Sequence, residues 1–181
     1  MNSVSPIPSF AAPAFVDAAR AQFDALLAAN PGLHYIDAVL ADVIGVLRGK
    51  RLHIGEAAKL FETGMQIPHS IYLMDANGEM TNPLGRGYGD GDPDGTAWPI
   101  PGTLSRVWGE GPARAQMLMT LRDANGVADP AEPRAALERV LDRFAQLELT
   151  PVCALELEFY LIDRERNAAG APQPPLDPRS G

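Results

Sequence analysis

Cysteine is almost missing from this sequence: one residue of 181, Cys153, carries a thiol. A lone thiol closes no internal disulfide, so the expected compartment is the cytoplasm. Cys153 sits in the apolar run PVCALEL with no basic neighbour, so it reads as a buried structural residue rather than a nucleophile. Long apolar runs are also lacking. None approaches the roughly 20 residues of a membrane span, and the opening MNSVSPIPSFAAPAF has no basic segment ahead of an apolar one, so no signal peptide and no membrane partner are expected. Positive charge is in short supply, with 15 Lys and Arg against 23 Asp and Glu for a net charge of −8. That balance leaves no electrostatic footprint for nucleic acid and would suit a cationic substrate. The three histidines, His34, His53 and His69, have no metal-ligand spacing, and structural or surface roles are expected for them. The glycines of GRGYGDG lack the following helix that a phosphate-binding loop needs.

What is abundant is apolar content and turn chemistry. Hydrophobic residues make up 46%, and the 17 Gly and 17 Pro cluster in 82–102 and 168–181, which read as two loop regions. Residues 1–12 show little periodicity and read as a poorly ordered start. From Pro13, Phe15, Ala19, Phe23, Leu26 and Leu27 share a helical face that Asn30, Pro31 and Gly32 bring to an end. His34–Asp42 and Val46–Ile54 form a hairpin about a turn at Asp42–Gly45. Gly55–Gly64 reads as a short helix. IYLMD (Ile71–Asp75), a DANG turn and a short strand at Glu79–Thr81 follow, then a strand over Arg114–Asp123 and a turn at Ala124–Gly126. Asp129–Glu132 matches a capping box with Pro130 at the first helical position, for a helix to about Leu147 whose apolar face is Leu137, Val140, Leu141, Phe144 and Leu147. A strand is expected over Pro151–Asp163, and loop beyond Arg164. The order predicts an α+β chain.

The last strand carries the sharpest chemical signal. Alternation puts Glu156, Glu158 and Tyr160 on one face and Cys153, Leu155, Leu157, Phe159 and Leu161 on the other. Carboxylates two residues apart on a strand stand about 7 Å apart, which suits ligation of two neighbouring hard cations. The same spacing also occurs on an ordinary solvent face. The loop acids Asp90, Asp92 and Asp94 offer negative charge for an ammonium group, or serve only the turn chemistry of Asp-Gly pairs. Arg48, Lys50 and Arg51 form a basic cluster that could meet a phosphate, although a hairpin surface accounts for it as well. Trp98 and Trp108 read as packing or interface groups.

Three ordered segments carry a family likeness. DPAEPRAALERVLDRF followed by ELEFYLID resembles the helix and E-x-E-F strand that open the catalytic barrel of glutamine synthetases. DVIGVLRGK, with Asp42, Gly45, Arg48, Gly49 and Lys50 in step, resembles the D-x-x-G-x-x-R-G-K hairpin of their small β-grasp domain. GDPDGTAWPIPGTL resembles a third segment through Asp94, Pro99 and Thr103. The resemblance implies that Glu156 and Glu158 each ligate one of two divalent cations, Mg or Mn, that serve ATP and glutamate. The D-G-S-S of ammonia-using members has no counterpart here, and the loop EMTNPLGRGYGDGDPDG is closer in style to γ-glutamylpolyamine and γ-glutamylputrescine synthetases.

The expected organisation is therefore an extension and helix over 1–29, a β-grasp domain over 30–123, and the truncated start of a catalytic domain over 124–181. The resemblance implies an ATP-dependent ligase joining an amine to glutamate within a ring-shaped homo-oligomer, with adjacent subunits sharing sites. The 181 residues alone are expected to be inactive, and no catalytic or ATP-contacting residue is assigned within them. Two alternatives remain, a glutamine synthetase that uses ammonia and a non-catalytic β-grasp interaction or assembly module.

Overall fold

A computed structural model describes residues 12–109 and 111–176; the N-terminal stretch expected to be poorly ordered lies, but for its last residue, outside them. Two compact units divide the chain after Glu148.

The larger unit opens with helix α1 (Ala12–Ala29). Its residues Phe15, Val16, Ala19 and Phe23 are buried, which is the helical spacing the sequence shows. Strands β1 (Tyr35–Ala41) and β2 (Leu47–His53) form the expected antiparallel hairpin, with Val39 opposite Gly49. A 3₁₀ turn (Ile54–Glu56) and the four-residue helix α2 (Lys59–Glu62) replace the single short helix expected there. Strand β3 (Met65–Pro68) follows, then a 3₁₀ segment (His69–Leu73) that takes in the first three residues of IYLMD. Of the short strand at Glu79–Thr81, one bridge between Met74 and Met80 is present.

Strand β4 (Asp94–Pro99) lies inside the region that reads as loop. Its inward positions are Gly95, Ala97 and Pro99, all buried, so the strand shows no alternation of large apolar residues that a sequence pattern can register. After β5 (Ser105–Val107) comes β6 (Arg114–Arg122), the long centre of the sheet. The strand order is β2-β1-β6-β4-β3, with β5 pairing along β6 as well. β1 and β6 run parallel and every other pair is antiparallel.

The sheet buries Ile36, Leu40, Met117, Met119 and Leu121 against α1 and α2 in one core that also takes Leu60, Phe61 and Ile67. Side chains of this size contribute about 1.5–3 kcal/mol each when fully buried. Lys50 of edge strand β2 donates to the carbonyl of Gln66 on the far edge strand β3 at 3.1 Å, so the sheet is curled enough for its edges to meet through a side chain.

One turn recurs at 42–46, 75–79 and 123–127. An Asp carboxylate accepts the amides two and four residues on, its backbone pairs with the residue four on, and a glycine follows at the fourth position. The glycines Gly45, Gly78 and Gly126 have φ of 82°, 87° and 78°, the left-handed region that L side chains avoid.

Helix α3 (Pro133–Gln146) closes the larger unit. It does not start as the capping box requires. Glu132 is the residue before the helix and makes no side-chain cap, and Pro133, not Pro130, opens the first turn. Asp129 and Glu132 are both buried and spent on other partners, so tertiary pairing has overridden the local cap. Only Ala135 of α3 is buried, while Leu137 and Val140 of the expected apolar face stay exposed.

The smaller unit begins at Leu149. Residues 149–163 form no helix and pair with no strand among the described residues, so the strand expected at Pro151–Asp163 is not formed. A strand needs a neighbour to take its backbone groups, and none is present here. Cys153 is accordingly exposed, contrary to its expected burial. The ordered element of this unit is a turn of the same kind, with Asn167 in the Asp position and Gly170 at φ 78°.

Candidate functional site

The hairpin residues that carry the family likeness are all engaged inside the fold. Asp42 caps its turn through Oδ1 and receives the Arg48 guanidinium on Oδ2 at 2.6 Å. Burial alone would raise the pKa of Asp42, but Arg48 and the Val46 and Ile44 amides outweigh it and hold the carboxyl below its ordinary range. Arg48 also donates to the Asp75 carbonyl at 2.7 Å, tying the first turn to the second. Gly49 is required by contact rather than by φ, because a Cβ there would stand 2.0 Å from the Ala38 carbonyl oxygen. Arg51 pairs with Asp37, whose carboxylate Arg114 also approaches at 3.4 Å. The basic cluster thus serves the hairpin and sheet.

The third family-like segment is similarly occupied. Pro99 is buried in β4. Thr103 donates to the Ile100 carbonyl at 2.7 Å and accepts the Leu118 amide at 3.1 Å, which fixes the turn after β4 onto β6. Trp98 packs against the core, whereas Trp108 is exposed with the Arg106 guanidinium 4.4 Å above its ring.

The loop acids divide into two kinds. Asp90 accepts the amides of Gly87 and Asp92, and Asp92 accepts both the amide and the hydroxyl of Ser70. Asp94 is exposed at the start of β4, opposite Pro68 in the register. Asn82 and Asp92 bound the loop at φ 45° and 49°, strained values for side-chain-bearing residues that Asn and Asp tolerate best.

Glu156 and Glu158 lie in the smaller unit, both exposed, among neighbours that are exposed too, with Phe159 at 76% and Tyr160 at 94%. Neither has a hydrogen bond or ion pair among the described residues. Carboxylate oxygens are the donors that Mg and Mn take, so this pair fits such cations in kind. It falls short in number, since no group of three or more His, Cys, Asp or Glu among the described residues could hold a metal ion. Among the described residues no helix is long and apolar enough to cross a membrane.

A second polar cluster was not visible in the sequence. Asp129 receives Arg86 on both oxygens, at 2.8 and 3.4 Å, pairs with His69 Nδ1, and accepts the Ala131 amide at 2.7 Å. Burial would raise the Asp129 pKa, but Arg86, the Ala131 amide and His69 prevail and lower it. Glu132 accepts the Thr120 hydroxyl and the Leu121 amide. Its pKa is pushed up by burial, an effect those two bonds and Arg122 offset only in part. The Tyr72 hydroxyl is buried near Glu132 without an aligned hydrogen bond, and burial together with that carboxylate drives its pKa far up. His69 therefore has the structural role expected of it.

Residues 130–180 match the glutamine synthetase catalytic domain family. Over 148 residues, 82% of this chain, the sequence is 40% identical to gamma-glutamylputrescine synthetase PuuA of Escherichia coli (strain K12), of which it spans 31%. Among solved structures, a novel glutamine synthase homolog superposes with a TM-score of 0.54 at 21% identity, covering 64% of this chain and 27% of that one. Glutamine synthetase of Plasmodium falciparum gives 0.52 at 13% identity, covering 71% and 23%. At such identities these two show a shared fold, a mixed α/β arrangement about a sheet, and nothing finer. Of the three family-like segments, ELEFYLID lies within the residues that match the glutamine synthetase catalytic domain family, and the chain as a whole is similar to glutamine synthetase homologues in sequence and fold, of which it spans less than a third.

Proposed function

We propose that this chain is the N-terminal part of an ATP-dependent ligase that joins an amine to the γ-carboxyl of glutamate, with a polyamine such as putrescine as acceptor. The observation that carries this reading is the 40% identity over 148 residues to a gamma-glutamylputrescine synthetase. In the intact enzyme the γ-phosphoryl group of ATP passes to the glutamate carboxylate. The amine nitrogen then attacks the acyl carbon, phosphate leaves with the C–O bond electrons, and the nitrogen gives up a proton. Mg or Mn supplies charge neutralisation on the phosphoryl oxygens. Glu156 and Glu158 are the residues of this chain that would hold such cations, because their carboxylates are not spent on the fold.

The central parallel pair β1 and β6 with a helix against the sheet supports a β-grasp reading of 30–123. Residues 124–181 are read as the opening of the catalytic domain. Of the loop acids, Asp90 and Asp92 hold the loop, which leaves Asp94 to meet an ammonium group. A ring-shaped cytoplasmic homo-oligomer completes the proposal, and the 181 residues alone are expected to be inactive.

The test is an assay of the protein as its gene encodes it, measuring phosphate release with ATP, glutamate and putrescine, ethanolamine or ammonia. Putrescine-dependent release, lost in Glu156→Gln and Glu158→Gln, is the expected result. Efficient turnover with ammonia alone would reject the polyamine assignment and restore the ammonia-using alternative. No release with any acceptor would favour the non-catalytic module.

A further inference from the structure

Helix α3 is attached to the sheet in an unusual way. Its apolar residues Leu137 and Val140 are exposed, and of the helix itself only Ala135 is buried. Its docking is polar and concentrated just before its first turn, at Asp129 and Glu132. Glu132 reaches β6 through Thr120 and the Leu121 amide. Asp129 reaches the 3₁₀ segment through His69 and the glycine-rich loop through Arg86. Arg122 of β6 adds a longer contact to Glu138 at 3.7 Å, and Arg134 pairs with the same Glu138 at 3.1 Å.

The loop that Arg86 belongs to depends on few other contacts. Gly87 packs so closely on Met80 that a Cβ would stand 2.2 Å from its sulfur. Asp90 bonds within the loop, and Asp92 anchors its far end on Ser70. Both ends sit in left-handed conformations at non-glycine residues, which persist only where surrounding contacts over-determine them. Ser70 and His69 are neighbours in the same 3₁₀ segment. The loop therefore meets one anchoring block twice, through Asp92 on Ser70 and through Arg86 on Asp129, and Asp129 is itself bonded to His69.

We infer that Asp129 is a shared clasp that couples the order of the loop at 83–92 to the docking of the α3 entry. Arg86 is its loop-side arm, and His69 with the Ala131 amide its scaffold side. A charge-assisted fork from Arg to a buried carboxylate is the strongest polar contact on this loop. Removing the arm leaves Asp129 buried with one cation fewer, so its cost is felt at 129–136 as well as in the loop. This coupling is independent of what the loop binds and of the metal reading of Glu156 and Glu158.

Arg86 is part-exposed, so Arg86→Ala should fold. Hydrogen exchange on the 181-residue chain reads the two sides separately. The expected result is faster exchange of the Gly87 and Ser70 amides, by about tenfold or more, together with acceleration of roughly threefold or more at Ala131 and Ala136. Amides of the β1–β2 hairpin should keep their rates, and Arg86→Lys should recover part of both effects. Acceleration in the loop with Ala131 and Ala136 unchanged, or no change at either, would overturn the coupling. Asp92→Ala is the control: it leaves the Arg86 arm in place, so loop acceleration with a distinctly smaller effect at 131–136 than Arg86→Ala gives is expected, and equal acceleration there would show general loosening instead of a clasp.

Discussion

The hairpin carboxylate Asp42 and the pair Glu156 and Glu158 began as equals, acidic residues in segments with the same family likeness. Asp42 is buried and accepts two backbone amides and an arginine. Glu156 and Glu158 are exposed and make no such contacts among the described residues. A segment resembling a family can thus be kept for the fold or for a ligand, and the partners of each carboxylate separate the two. Asp42, Arg48, Gly49 and Thr103 build the larger unit. The two glutamates make no hydrogen bond or ion pair among the described residues, which is what the proposed cation role asks of them.

The widest break in this comparison comes from Asp42→Ala. It removes the acceptor of two amides and leaves Arg48 without its carboxylate, a loss of about 3 kcal/mol, read from the denaturant midpoint. A midpoint within error of the parent would show that the hairpin residues are not fold-makers. Gly64→Ala comes next, at about 2 kcal/mol, since φ is +69° and the added Cβ would stand 2.4 Å from Thr96 Cγ2 and 2.9 Å from the Ala97 oxygen.

Acid sharpens the contrast further. Asp42, Asp75, Asp123 and Asp129 all have folded pKa values lowered from 3.8. At Asp75 and Asp123 the leading cause is the backbone amide of the turn, from Glu79 and Val127 respectively. A lowered carboxylate pKa contributes stability above the unfolded value and loses it as pH falls through the folded one. Glu132 runs the opposite way, since burial raises its pKa and protonation on acidification favours the fold. Glu56 is lowered too, by its pair with Lys59, and five lowered carboxylates against one raised predict a loss of stability of the larger unit on acidification below about pH 4. Asp42→Asn, which keeps a turn acceptor but no charge, should show a shallower fall; an unchanged slope would remove Asp42 from the account. The smallest effect is expected at the other pole. Glu156→Ala and Glu158→Ala should each move the midpoint by no more than about 0.5 kcal/mol. A larger loss would mean that these glutamates support the fold after all.

How much of this was legible in the sequence depended on the range of the interaction. α1, the β1–β2 hairpin, β6 and the Asp-x-x-Gly turns follow from spacing within a few residues, and they formed where expected. β4 was hidden because its inward residues are Gly95, Ala97 and Pro99, too small or too turn-like to mark a strand. Asp129 and Glu132 have the spacing of a helix cap, yet Asp129 bonds to residues 43 and 60 positions away. No local pattern encodes those partners. The expected strand at Pro151–Asp163 did alternate, but alternation creates a strand only where a neighbour takes its hydrogen bonds. The exposed side chains of Leu155, Leu157 and Phe159 are what remains of that pattern.

Paramagnetic broadening by Mn²⁺, titrated into the isotope-labelled 181-residue chain, tests the central claim most directly. A cation taken by Glu156 and Glu158 should broaden amides around 155–159 first, leave those around Asp42 and Asp75 sharp, and lose its effect in the double variant Glu156→Gln, Glu158→Gln. Broadening centred instead on the hairpin turns or on Asp90–Asp94, or persisting in the double variant, would contradict the division between fold-making and ligand-ready carboxylates.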